Sequence, residues 1–165
     1  MSHVLLICYV SSKIGMGHLS RLLALAAALR KDNKVVPEFL IFGDVVKKEE
    51  LSKFKVHYFS LVDDFVTTMD KVLINNEYST IVFDLYPSHN IDNLNESLKQ
   101  LKQRDVHLVG IDALIEHSDI LDLIWVPAFN FDFSGHTDCN SMLKSGWDSF
   151  LIQKRLEHAE WSPGA

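Results

Sequence analysis

The stretch HVLLICYVSSKIGMGHLSRLLALAAALR, residues 3–30, decides the fold. Its opening, His3 to Val10, is short and continuously apolar, the pattern of a strand covered on both faces of a parallel sheet. Its close sets Leu19, Leu22, Leu23, Ala26 and Leu29 at helical spacing, with a charged exit at Arg30, Lys31 and Asp32. Between the two, Gly15-Met16-Gly17-His18-Leu19-Ser20-Arg21 makes the turn. Strand, glycine turn and helix form one unit, and that unit presents an imidazole at a helix N-terminus.

The same grammar repeats along the chain. Apolar runs at Val35 to Phe42, Lys55 to Leu61, Thr80 to Tyr86, His107 to Ala113 and Leu121 to Val126 read as strands. Val45 to Phe54 reads as a short helix with Lys47, Lys48, Glu49 and Glu50 on a solvated face. Asp63 or Asp64 caps a helix carried by Phe65, Met69, Val72 and Leu73. Ile91 to Arg104 is an amphipathic helix on Leu94, Leu98 and Leu101, and Ser145 to Glu157 is predicted to be a terminal helix. Strands alternating with helices at this spacing predict an α/β fold, a doubly wound parallel sheet with helices on both faces. In such sheets ligands bind beyond the carboxyl ends of strands. The candidate rim is therefore Ser11 to His18, Asp44, Asp84 to His89, and Asp112.

At 165 residues the chain is expected to be one domain. Hydrophobic residues are 47% and charged residues 23%, which excludes a disordered or collagen-like chain. A formal net charge of -6 with no basic, aromatic-interleaved stretch argues against nucleic acid as a partner. Cys8 and Cys139 are too few and too isolated for a disulfide framework. The N-terminal apolar run is too short to span a membrane and lacks signal-peptide flanks, so the expected location is cytoplasmic. The sequon at Asn95 falls in a predicted helix and is read as chance.

The two glycines let the backbone turn tightly and let a ligand approach unshielded amides, where the helix dipole favours negative charge. A phosphate or a charged sugar suits that spot; the plainer reading is that the glycines only permit the turn. The dinucleotide fingerprint fits poorly, because Ser20 stands where the third glycine or alanine belongs and Asp44 comes late. A Gly-Lys-Ser/Thr phosphate loop and a Gly-x-Ser-x-Gly elbow are both absent. His89, His107, His117 and His136 lack paired ligand spacing, so no metal is expected, and nothing calls for a resident cofactor.

Taken together, GMGHLSRLLALAAALRK, IVFDLY, LVGIDAL, and GWDSFLI followed by WSPG resemble the N-terminal half of GT-B-type sugar-nucleotide enzymes. The likeness is to the pseudaminic-acid-pathway UDP-sugar hydrolases and the related spore-coat polysaccharide proteins, and more distantly to the lipid II glucosaminyltransferases. In these families a Gly-x-Gly-His-x-x-Arg segment opens the first helix, and Gly15, Gly17, His18 and Arg21 match it. The resemblance implies that residues 1–165 form a single N-terminal Rossmann-like domain. It also implies a C-terminal nucleotide-binding domain that this sequence does not include, in the same polypeptide or in a separate partner chain. The substrate it implies is a nucleotide sugar, UDP-linked, attacked at the anomeric carbon by water or by a sugar hydroxyl.

On that resemblance His18 is the catalytic candidate, as general base or as the group that positions the nucleophile. The positive end of the helix disfavours imidazolium, which leaves the ring able to accept a proton. Gly15, Met16, Gly17, Arg21, Asp84, Tyr86 and Asp112 are the substrate-binding candidates. Arg21 lies one turn beyond His18 on the same face, able to fork a carboxylate, a phosphate or a sugar oxygen, or to serve as a structural ion pair. Asp84 and Tyr86 end a buried strand and can meet a substrate hydroxyl or orient His18, although Asp84 can equally cap a loop or helix. Asp112 is expected to stabilise a loop. A different class of function competes: a non-catalytic sugar-binding or subunit-assembly module that docks a nucleotide-binding chain, for which an exposed apolar face is the sign.

Overall fold

The computed structural model describes residues 1–31, 34–85, 91–112, 114–127 and 142–145. The seven strands are β1 (Ser2–Val10), β2 (Val35–Gly43), β3 (Lys55–Phe59), β4 (Thr80–Asp84), β5 (His107–Ile111), β6 (Leu123–Val126) and β7 (Met142–Ser145). They form one parallel sheet in the order β3-β2-β1-β4-β5-β6-β7. Helices α1 (Gly17–Leu29), α2 (Phe65–Ile74) and α3 (Leu94–Gln103) lie between strands. This is the Rossmann-like α/β architecture expected from the alternation of runs.

β1 is buried on both faces, and its two alternating sets of side chains found two cores. Val4, Leu6, Cys8 and Val10 join Leu19, Leu22, Leu23 and Ala26 of α1. Leu5, Ile7 and Tyr9 join Met69 and Val72 of α2 and Leu98 and Leu101 of α3. Period two in the strand and period 3.6 in the helix are both satisfied, each aliphatic side chain contributing about 1.5–3 kcal/mol on burial. Phe42 and Phe65 stack at 4.9 Å between centroids, fixing α2 over the sheet. Asp64 caps α2 by accepting from the Thr67 amide at 2.7 Å, as its position predicts.

Pro37 sits inside β2 without cost, because it lies opposite Val4 but one residue before β3 begins its pairing at Glu38. Gly43 ends β2 at φ +124°, and a Cβ there would lie 1.9 Å from the Val10 carbonyl oxygen. Only glycine lets the Asp44 amide follow on to that oxygen at 2.8 Å.

Three expectations change. The helix expected over Val45 to Phe54 is a 3-10 turn at Glu49–Lys53 alone, since only Leu51 there is buried and a single anchor does not hold a full helix to the sheet. Strand β7 has no counterpart in the reading of the sequence, and Ser145, expected to begin a helix, ends that strand instead. Its four residues are too few to show a period. The rest of the expected terminal helix lies outside the described residues.

Candidate functional site

The chain leaves β1 toward β2 on one side, while β4 lies on the other side of β1. That reversal makes the carboxyl ends of β1 and β4 the topological switch point, where an open sheet leaves a crevice. Cys8 pairs with Asp84 across it. His18 and Arg21 enter from the first two turns of α1, Asp84 is the last residue of β4, and Asp112 follows β5.

These four side chains form one network. Asp84 is fully buried. Its Oδ1 lies 2.6 Å from His18 Nδ1 and accepts from Arg21 Nη2 at 2.6 Å, while its Oδ2 accepts from Arg21 Nε at 3.0 Å. Arg21 Nη1 continues to Asp112 Oδ2 at 3.1 Å. Arg21 Nη2 also stands 3.2 Å from His18 Nδ1. Two donors cannot share a proton position, so the shorter contact decides: Nδ1–H donates to Asp84. The His18 side chain is 13% exposed and the Arg21 side chain 22%, so the bonds are made in a partly dry setting where they count for more than in water.

Burial alone would lower the pKa of Arg21, but its hydrogen bonds and charge contacts with Asp84 and Asp112 outweigh that and raise it. The guanidinium therefore stays charged and acts as a brace between two strand ends. Asp112 adopts φ +56°, an uncommon left-handed conformation for a residue with a side chain, while its amide donates to the Trp125 carbonyl at 2.9 Å. Its expected part as a loop stabiliser is thus joined by a direct bond to the site.

The turn before α1 differs from expectation in one respect. Its amides are largely occupied by the chain itself: Gly15 donates to the Ser11 carbonyl at 2.7 Å, and Lys13 and Ile14 to the Ser11 hydroxyl at 3.3 and 3.1 Å. Ser12 donates to Asp44 at 3.2 Å, which explains the place of Asp44 on the rim. The amides of residues 12–15 thus hold the loop closed. Gly15 has φ +85°, so its lack of a side chain serves the turn. Gly17 is another matter: its φ is not in the left-handed region, and a Cβ there would meet none of the described residues within 4 Å. Among the described residues no packing requires glycine at position 17, at the head of the helix and next to His18. Met16, the residue before α1, packs partly against the α1 core and makes no side-chain cap.

Tyr86 and His89 lie outside the described residues, as do His136 and Cys139. His107 pairs at 3.9 Å with Asp122, and His117 at 3.9 Å with Glu116, both away from the network. Among the described residues no group of three His, Cys, Asp or Glu is placed to hold a metal ion, and no helix is long and apolar enough to cross a membrane. What the reading of the sequence missed is the bond pattern, in which Asp84 serves His18 and Arg21 at once. The available signal was a lone acid ending an otherwise apolar strand, since a buried carboxylate needs partners. Comparison with protein-family models, with curated proteins and with solved structures finds no match for this chain.

Proposed function

We propose that this chain is the acceptor-side half of a nucleotide-sugar enzyme, a glycosyltransferase or a UDP-sugar hydrolase, with His18 as the general base. The observation that carries the reading is the Asp84–His18 bond of 2.6 Å at the switch point of the sheet. Asp84 fixes the tautomer and supports the imidazolium that forms when Nε2 removes a proton from water or a sugar hydroxyl. The oxygen so activated attacks the anomeric carbon, and the bond from that carbon to the nucleoside diphosphate breaks. Arg21 holds Asp84 in place, and Gly17 keeps the helix head clear for substrate. The resemblance of the Gly-x-Gly-His-x-x-Arg segment supplies the substrate class.

The test pairs the chain with the nucleotide-binding α/β unit that the reading requires and follows nucleoside diphosphate release from UDP-sugars. His18→Ala is expected to lose about 10²–10⁴-fold in turnover, the usual span for a general base. Equal turnover of variant and wild type removes His18 from the chemistry.

One observation favours the assembly-module reading. Val45 is 69% and Val62 91% exposed, with Leu61 beside them, all just beyond the carboxyl ends of β2 and β3. An apolar lip on the rim suits a docked chain. Stable association with such a chain, with no sugar-nucleotide turnover by the pair, selects this reading.

A further inference from the structure

At the amino ends of the strands, opposite the proposed site, a second carboxylate is buried. Glu38 of β2 is 5% exposed, and side chains from three other parts of the chain converge on it. Its Oε2 accepts from the Tyr78 hydroxyl at 2.8 Å and meets Lys55 Nζ at 3.0 Å. His57 Nε2 stands 3.5 Å from the same oxygen, and His3 Nδ1 stands 3.6 Å from Oε1. Tyr78 and Lys55 make ordinary bonds; the two imidazoles are parked just outside hydrogen-bond distance. His57 Nε2 is buried and has no hydrogen-bond partner.

An orphaned buried nitrogen is an expense that most folds avoid, and here it faces a carboxylate. Protonation would turn His57 Nε2 into a charged donor aimed at Oε2 and His3 into a second cation beside Oε1, which has no closer partner among the described residues. Charge-assisted bonds of this kind are shorter and about twice as strong as neutral ones. Lys55 opposes the change, since its ammonium already shares Oε2, but it also bonds Asn76 Oδ1 at 3.0 Å. Glu77 and the Met1 terminus line the groove beside His3 together with Asn76, so an acid and an amine face that ring from outside. Burial alone would raise the pKa of Glu38; the bonds from Tyr78 and Lys55 and the Lys55 charge, with the imidazole of His57 close by, outweigh it and hold the acid below its usual range.

We propose that Glu38, His3 and His57 form a proton-operated clasp that tightens the amino edge of β1, β2 and β3 as the pH falls through the range in which imidazoles take up protons. The clasp joins segments far apart in sequence, so its closure resists separation of strands rather than local fraying. It is independent of the reading of the site at the opposite edge.

Urea unfolding of the wild type and of a His3→Gln/His57→Gln double variant, at pH 8 and at pH 5.5, tests it. The stability gap between the two proteins is expected to widen on acidification, with the ratio of their folding constants changing about tenfold, the worth of one charge-assisted bond. A gap that stays level or narrows overturns the proposal. Should the double variant not fold, imidazole NMR of the wild type decides: both rings are expected to take up protons while the protein stays native. A His57 ring that remains unprotonated in the folded protein at pH 5 overturns it equally.

Discussion

Asp84 and Glu38 are both buried carboxylates on adjacent parts of one sheet, and each is attended by imidazole and by a cation, yet the two surroundings differ in kind. Around Asp84 the hydrogen bonds to His18 and Arg21 are 3.0 Å or shorter, and both oxygens are engaged, by a rigid fork and by the Nδ1 of a ring. Around Glu38 one oxygen is crowded and the other has only an imidazole at 3.6 Å. Asp84 stands where the sheet reverses its winding and opens a crevice; Glu38 stands at the closed end, below the level at which ligands enter such folds. Position in the topology and tightness of contact, not residue type, separate the two carboxylates.

The sharpest way to break the comparison is to remove Asp84. Asp84→Ala leaves His18 without its carboxylate and Arg21 with Asp112 alone, and is expected to cost about 3–5 kcal/mol in urea unfolding, together with turnover in the paired assay. A loss well below that range would show that solvent replaces the acid and that the network is not a dry one. Arg21→Lys comes next: a point charge cannot bridge Asp84 and Asp112, and the expected loss is about 1.5–3 kcal/mol for the charged hydrogen bonds given up. If lysine serves as well, the fork between the two strand ends carries no weight.

Glu38→Gln keeps the shape and removes the charge, with an expected loss of about 1–3 kcal/mol at neutral pH and unchanged turnover in the paired assay. Its pH profile has a fixed sign. The folded pKa of Glu38 is lowered, so its stabilisation is present above the unfolded value of about 4.3 and fades as pH falls through the still lower folded value. The gap between wild type and Glu38→Gln should therefore close only in strong acid; closure between pH 8 and 5.5 contradicts both this assignment and the clasp. The smallest effect belongs to Gly17→Ala, expected to stabilise by about 0.4–1 kcal/mol while reducing turnover, because the added methyl occupies space that the described residues leave open. Stabilisation with full turnover would return Gly17 to the role of a mere turn residue.

Much of this was readable from residues alone. β1 and α1 announced themselves because a strand buried on both faces has no polar interruptions and a covering helix keeps its period. His18 and Arg21 were visible at the head of the first helix, and Asp84 and Asp112 as acids at strand ends. Their mutual bonding was not, since it depends on β4 lying next to β1, a neighbour relation that no local pattern encodes. Glu38 was legible in principle: an acid within VVPEFLIF must find partners. Its partners come from the starts of other strands and from Tyr78, which looks like any core aromatic until the register is known. The segment after Asp44 misled because Val45, Val46, Leu51 and Phe54 mimic a helical stripe, although Val45 points to solvent.

Cys8 lies beside Asp84 in the sheet, wholly enclosed, and burial first and the nearby acid second push its thiol pKa far up. Alkylating reagents therefore reach that sulfur only when the layer between α1 and the sheet opens. Its labelling rate is a built-in clock for the loosening of the helix that carries His18, measurable without adding a probe.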